Sequence, residues 1–350
     1  MQQGVSLAPQ VEERRGIPYA IADLSPIFLA GFKSHLLPHL LALFILVSGY
    51  AAAELGGGSN VSPSFQVFVA KYFAVTEFNV LVLLFLVKFL RMIIVEKPEK
   101  PISHLLQWGL SNLTDRQRIA NGVHGLLFTF MVMGGFTMWK NQISVMGHFA
   151  WDQDLVSLER LLHGGMLPQD ILATVLGFPL TAKILDMAYL LWFPMLLGSI
   201  FIMSFQPQQS LLRMRFMIAF ALTWVLGGII TANIFASAGP VHYGRLNPAP
   251  DFFAAHMDLL RNISASAHLE ALALQDSLWT IYAATPSFSS ISAFPSMHVA
   301  IAMLIFPVCR HLGWLLAGLG ATYLLLTFIG SIFLGWHYAI DGMLEQVLRL

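Results

Sequence analysis

The sequence predicts an all-α fold, a polytopic bundle of membrane-spanning helices. Three observations lead there. Of the 350 residues, 57% are hydrophobic and 11% charged, with a mean hydropathy of +0.69, whereas a soluble domain carries about a quarter charged residues. Apolar runs recur near the roughly 20 residues that a helix needs to cross the hydrocarbon core. Basic residues gather in alternate connections between those runs, as they do in loops that stay on the cytoplasmic side.

The predicted spans lie near 36–54, 66–95, 119–139, 184–205, 212–236, 295–311 and 313–335, with an eighth starting at His337. The second is long enough to tilt or to emerge on one side. From His337 to Leu350 the eighth reaches only about 21 Å at 1.5 Å per residue. Residues 166–181, "MLPQDILATVLGFPLT", are apolar but contain two prolines, which predicts an interfacial or re-entrant segment rather than a crossing. His124, inside the third span, reads as a satisfied intramembrane polar group. No internal repeat is found.

Arg14, Arg15 and Lys33 precede the first span. Arg91, Lys97, Lys100, Arg116 and Arg118 separate the second from the third, Arg213 and Arg215 the fourth from the fifth, and Arg310 the sixth from the seventh. Counting crossings puts all four groups on one face, with the N-terminus cytoplasmic. The linkers 140–165 and 237–294 and the turn 335–337 then share the extracytoplasmic face. The nineteen basic and nineteen acidic side chains cancel, so no net field points to nucleic acid. The single cysteine, Cys309, excludes an intrachain disulfide and a thiolate zinc cluster.

Three polar clusters share that outer face: "SAGPVHYGR" (237–245), "FPSMH" (294–298) and "GWHYAID" (335–341). Gly239-Pro240 reads as a helix stop. His337 and Asp341, four apart, meet on one helical face. A carboxylate on one imidazole nitrogen fixes the tautomer and frees the other nitrogen as nucleophile or base. His298 returns to the same depth, so two histidines divide attack and leaving-group protonation. Ser296 offers a hydroxyl at a helix start suited to phosphate, and Pro295 fits the first turn. Asp152, Asp154 and Glu159 read as a solvated face or a capping segment.

Pro-Ser-x-His followed about 40 residues later by His-x3-Asp resembles the type 2 phosphatidic acid phosphatase (PAP2) superfamily. "FPSMHVA" and "LGWHYAID" look closest to its inositol phosphorylceramide synthase-like and sphingomyelin synthase-like branch. The resemblance covers about 118–350. It implies a six-helix catalytic core, with 1–35 as a cytoplasmic segment and 36–117 as two additional spans and a loop. It also implies that His337 is the nucleophile forming a phosphohistidine, Asp341 its orienting acid and His298 the general acid.

The departures from the family pattern are informative. "AGPVHYGR" stands where phosphatases carry Lys-x6-Arg-Pro, Gly330-Ser331 replaces a Ser-Arg pair, and Met297 replaces a glycine. Arg245, with His242 and Tyr243, is the remaining candidate phosphate clamp. Loss of basic clamps suits a phosphate esterified on both sides, with one negative charge.

The expected activity is therefore transfer of a phosphoryl headgroup from a phospholipid donor to a lipid alcohol at the extracytoplasmic or lumenal leaflet. Neither metal nor cofactor is required. The main alternative is a lipid phosphatase hydrolysing phosphatidate or polyprenyl phosphates at the same site. A lipid transporter or scramblase is the rival from another class, but the chain shows no matching broken helices in two halves.

Overall fold

Inside a bilayer every backbone N–H and C=O must be satisfied within the chain, which leaves helices as the solution for runs of this composition. The computed structural model describes residues 25–56, 63–146, 148–206, 210–247, 250–285 and 291–342, and these contain helices and no strand. Arg14 and Arg15, and the eighth span beyond Gly342, lie outside the described residues.

Helices α1 (Ser25–Ser34) and α2 (Leu36–Leu55) open the chain. Next, α3 (Pro63–Arg91) continues through a π-helical turn, Met92–Glu96. A short α4 (Pro101–Thr114) has no buried residue. Its Ile102, Leu106, Leu110 and Leu113 are all exposed at one-turn spacing, a stripe suited to a membrane interface. The long α5 (Arg116–Met146) takes the place of the third predicted span. It lies directly on α2, because Gly49 and Gly135 let the backbones touch. A Cβ on Gly49 would stand 2.4 Å from the Gly135 carbonyl oxygen, the close approach that small residues permit between membrane helices.

His124 on α5 accepts from His39 Nε2 at 3.1 Å and donates to the Phe28 carbonyl at 3.0 Å. It is satisfied inside the helical packing, as its sequence context predicts.

The chain then forms α6 (Asp152–Leu162), α7 (Pro168–Leu176) and α8 (Pro179–Leu190), which runs into α9 (Trp192–Ser204). The expected interfacial segment 166–181 resolves into α7 and the first residues of α8, each helix beginning on a proline. Proline suits that position because the first helical N–H has no intrahelical partner. The fourth crossing therefore starts at Pro179, five residues before the expected 184. Its break at Leu191 follows from Pro194, which has no N–H to bond the Leu190 carbonyl.

The fifth crossing, α10 (Leu211–Leu222), is extended by a π-helical stretch, Thr223–Thr231, and a last turn, Ala232–Ile234. Outside it lie α11 (Ala254–Ala267) and α12 (Glu270–Ala284), and the chain returns through α13 (Met297–Leu312) and α14 (Trp314–Phe333).

Six crossings among the described residues are long and apolar enough to span a membrane. The expected sixth span, α13, is shorter at 16 residues and contains Pro307. The protein is an integral membrane protein.

Two apolar cores divide the bundle. One joins α2, α5, α9, α10 and α13 around Phe128, Phe220 and Trp224. The other joins α6, α8, α11 and α14 around Tyr189, Phe253, Phe333 and Tyr338. The histidines of interest sit where α8, α13 and the C-terminal segment meet.

Candidate active site

The site is built from three loop segments stitched together by backbone hydrogen bonds. Ser237 accepts from Ala293 N through its carbonyl at 2.9 Å and from Phe294 N through its hydroxyl at 3.2 Å. Val241 N donates to the Gly335 carbonyl at 3.0 Å. Gly239, at φ +88°, is wedged between the other two segments: a Cβ there would stand 2.7 Å from both Ala293 Cβ and the Trp336 carbonyl oxygen. The fifth crossing ends at Ile234, before the helix stop expected at Gly239-Pro240; Gly239 is instead where the three segments touch, and Pro240 opens a short 3-10 turn.

His298 is the second residue of α13. Ser296 is the N-cap, its hydroxyl accepting from Val299 N at 3.4 Å. Capping by serine satisfies one of the orphan N–H groups of the first turn. Pro295 lies one residue outside that cap, after a cis peptide bond from Phe294, rather than in the first turn as expected from sequence. The His298 ring is clamped by stacking. Tyr189 lies parallel to it at 4.1 Å between centroids, and Trp192 lies at 4.4 Å on α9.

His337 lies just before a helical segment that starts at Ala339, two residues after the expected start at His337. Its Nδ1 lies 2.5 Å from the Ala293 carbonyl oxygen and 3.3 Å from Asp341 Oδ2. Both neighbours are acceptors, so Nδ1 carries the proton and Nε2 carries the lone pair. Asp341 Oδ2 also accepts from Tyr338 N at 3.0 Å, which holds the carboxylate across the turn. The Tyr189 hydroxyl donates to His337 Nε2 at 3.2 Å. Tyr189 therefore touches both histidines, whose ring centroids are 6.0 Å apart. His337 is 4% exposed and Asp341 fully buried.

The acidic segment before α7 differs from a solvated face. Asp152 and Glu159 are completely buried, whereas Asp154 is exposed. Asp152 accepts from Ala238 N at 2.9 Å, Gly239 N at 3.0 Å and the Tyr338 hydroxyl at 2.6 Å. Glu159 accepts from Ile340 N at 2.8 Å, and Gln169 donates to the His337 carbonyl at 3.3 Å. Burial raises both carboxyl pKa values and the hydrogen bonds oppose that rise. These residues brace the loops that carry the histidines. The alternative expectation, a capping segment, describes them better.

Arg245, His242 and Tyr243 are not brought to the histidines. Arg245 donates to Asp276 at 2.9 Å and lies over the Trp279 ring at 5.0 Å. His242 stacks on the same Trp279. Its pKa falls to about 4, chiefly through burial and then through the Arg245 charge. Tyr243 packs edge-on against Phe252 and Phe253. The cause is local: the turn Tyr243–Leu246 docks on α11 and α12, and Asp276 neutralises the guanidinium.

The outer helices are anchored over this end of the bundle. Asp186 on α8 accepts from Glu270 N and Ala271 N at the start of α12. His256 donates to the Phe333 carbonyl at 2.7 Å and Gln275 to the Leu334 carbonyl at 2.8 Å. Tyr189 escaped sequence reading, and Asp152 and Glu159 were legible only as a solvated face or a capping segment, without their partners. A tyrosine in a span and acids in a linker carry no spacing signal toward partners 86 to 186 positions away.

No curated protein and no solved structure matches the chain. A family model described as PAP2 superfamily matches residues 153–343, more than half of the 350. That family implies phosphatase or phosphotransferase chemistry on lipid phosphates. The matched stretch contains both histidines and Asp341, and it begins after α5. The chain belongs to the PAP2 superfamily.

Proposed function

We propose that the protein is a lipid phosphotransferase in which His337 attacks the phosphorus of a donor phospholipid and His298 protonates the departing lipid alcohol. The observation that carries this reading is the state of His337. Its Nδ1–H is held by the Ala293 carbonyl beside Asp341, and its Nε2 lone pair points to Tyr189 and the His298 side of the site. A phosphorus about 3 Å from one ring nitrogen is a near-attack geometry. The leaving oxygen then needs an acid within about 3 Å. The 6.0 Å ring separation accommodates that chain of atoms.

In the first half-reaction the P–O bond to the departing alcohol breaks as the Nε2–P bond forms, and His298 supplies the proton. In the second, an acceptor hydroxyl loses its proton to His298 and displaces the phosphoryl headgroup from His337. Transfer to a lipid alcohol, as in inositol phosphorylceramide and sphingomyelin synthases, is favoured over hydrolysis by the anchored α11–α12 cover, since excluding water suppresses the competing reaction. The extracytoplasmic leaflet is the proposed side, from the distribution of basic loop residues.

Incubating purified protein with labelled phospholipids, with and without ceramide, tests the reading. A new phospholipid plus diacylglycerol is expected. Free phosphate alone would establish the phosphatase alternative. His337→Ala should bring turnover to background, and retained turnover would refute the nucleophile assignment.

A further inference from the structure

A phosphoryl-transfer site needs a cation for the phosphate oxygens, and the sequence-adjacent candidate, Arg245, is already paired with Asp276. The position of the family's third-motif arginine is Ser331 here, whose hydroxyl donates to the Phe328 carbonyl. We propose that Lys140, near the end of α5, is the phosphate-binding cation of this site. The proposal rests on the phosphohistidine reading above and deepens it.

Three observations place the lysine. Phe136, Lys140 and Ile143 follow at helical spacing and form one face of α5. Phe136 lies 4.3 Å from the Trp224 ring, and Ile143 packs with Ala232 and Ala236. That face therefore runs along the fifth crossing to the residue before Ser237, whose backbone and hydroxyl hold Ala293 and Phe294.

Lys140 is half-buried with its Nζ 5.9 Å from the Phe136 centroid, and among the described residues no carboxylate pairs with it. The Ser237 contact at the end of that face leads on to the site, because the Ala293 carbonyl holds His337 Nδ1. A half-buried ammonium on the helix face that leads to this loop, with no carboxylate pairing with it among the described residues, is suited to an anion arriving at the histidines. A single cation also matches a phosphodiester, which carries one negative charge, better than a dianionic phosphomonoester. Lys140 precedes the stretch matched by the family model, so comparison with that family does not reveal it.

The test uses the full chain in lipid nanodiscs with a labelled phosphodiester lipid, phosphatidate as the monoester, and orthovanadate as a phosphate analogue. Losing one charge-assisted contact is expected to lower kcat/KM for the diester by about 10- to 100-fold in Lys140→Met. The vanadate inhibition constant should rise by a similar factor. Lys140→Arg should keep turnover within several-fold of wild type, which a purely packing role would not predict.

Unchanged kcat/KM and unchanged vanadate sensitivity in Lys140→Met would overturn the proposal. Equal or better use of the monoester by the wild-type protein would overturn the single-charge preference. His337→Ala is the control for the underlying reading: if it remains active, the phosphohistidine chemistry fails whatever Lys140 does.

Discussion

Replacing Asp152 with alanine tests the bracing role most directly. The carboxylate is fully buried and satisfies three donors at once, Ala238 N, Gly239 N and the Tyr338 hydroxyl. Alanine leaves all three without that acceptor, and each orphaned buried donor costs about 1–3 kcal/mol. Part of this is offset, because burial already raises the carboxyl pKa and so penalises the charged form. The net loss should be about 3–5 kcal/mol, the range for removing one partner from a buried charged network.

Asp152→Asn keeps one acceptor oxygen but turns an N–H₂ group toward a donor, so about 1–3 kcal/mol is expected. Asp154→Ala, on the exposed side of the same turn, should stay within about 0.5 kcal/mol. Thermal unfolding of the purified variants in one detergent reads the order, and lipid turnover should fall with it as the loop holding Ala293 loosens. An Asp152→Ala protein as stable and active as Asp154→Ala would refute the reasoning.

Three further outcomes are expected. Gly239→Ala should abolish turnover, because its φ +88°, ψ 171° backbone is essentially open to glycine alone and costs about 1–3 kcal/mol for other residues, and the added methyl stands 2.7 Å from Ala293 and Trp336. Gly164→Ala, at φ +66° with nothing within 4 Å, pays only a conformational cost, so it should be clearly milder than Gly239→Ala in unfolding and leave turnover near wild type. Tyr189→Phe keeps the stack on His298 but removes the hydroxyl bond to His337, so kcat should fall by about 2- to 10-fold; a loss beyond 100-fold would mean that the hydroxyl takes part in the chemistry.

His242 makes stability pH-dependent. Its folded pKa is lowered to about 4 from 6.5, first by burial. The unfolded chain therefore binds the extra proton first as pH falls. Stability should decline between pH 6.5 and 4 by roughly 3 kcal/mol from this group, and His242→Gln should flatten that slope in unfolding measured across pH.

Much of the architecture was legible in the sequence because hydropathy is a local property and the membrane dictates helix for any long apolar run. The first, fifth and seventh spans fall within a few residues of Leu36–Leu55, Leu211–Ile234 and Trp314–Phe333, and the third, expected at 119–139, lies inside the longer Arg116–Met146. The start of the fourth was missed because Pro179 reads as a breaker in sequence yet serves as the first residue of a helix. Within the site, the short spacing of His337 and Asp341 correctly pointed to a contact, but His337 lies before the helix that starts at Ala339, and Asp341 reaches back to it from the first turn while accepting from Tyr338 N.

Other contacts were out of reach. Tyr338 bonds Asp152 across 186 positions, and Tyr189 meets His337 across 148. No local pattern distinguishes these residues from others of their kind.

The sequence by itself determined an all-helical membrane protein with two histidines and an acid at helix heads, because those features depend on composition and short spacing. The tertiary structure alone decided which groups surround the histidines. It turned Arg245 away to Asp276, set Tyr189 between the rings, buried Asp152 and Glu159 under the loops, and aligned Lys140 with the fifth crossing. The reason is physical: a polar group inside a bundle finds its partner wherever packing brings a complementary donor or acceptor, and packing joins residues far apart in the chain.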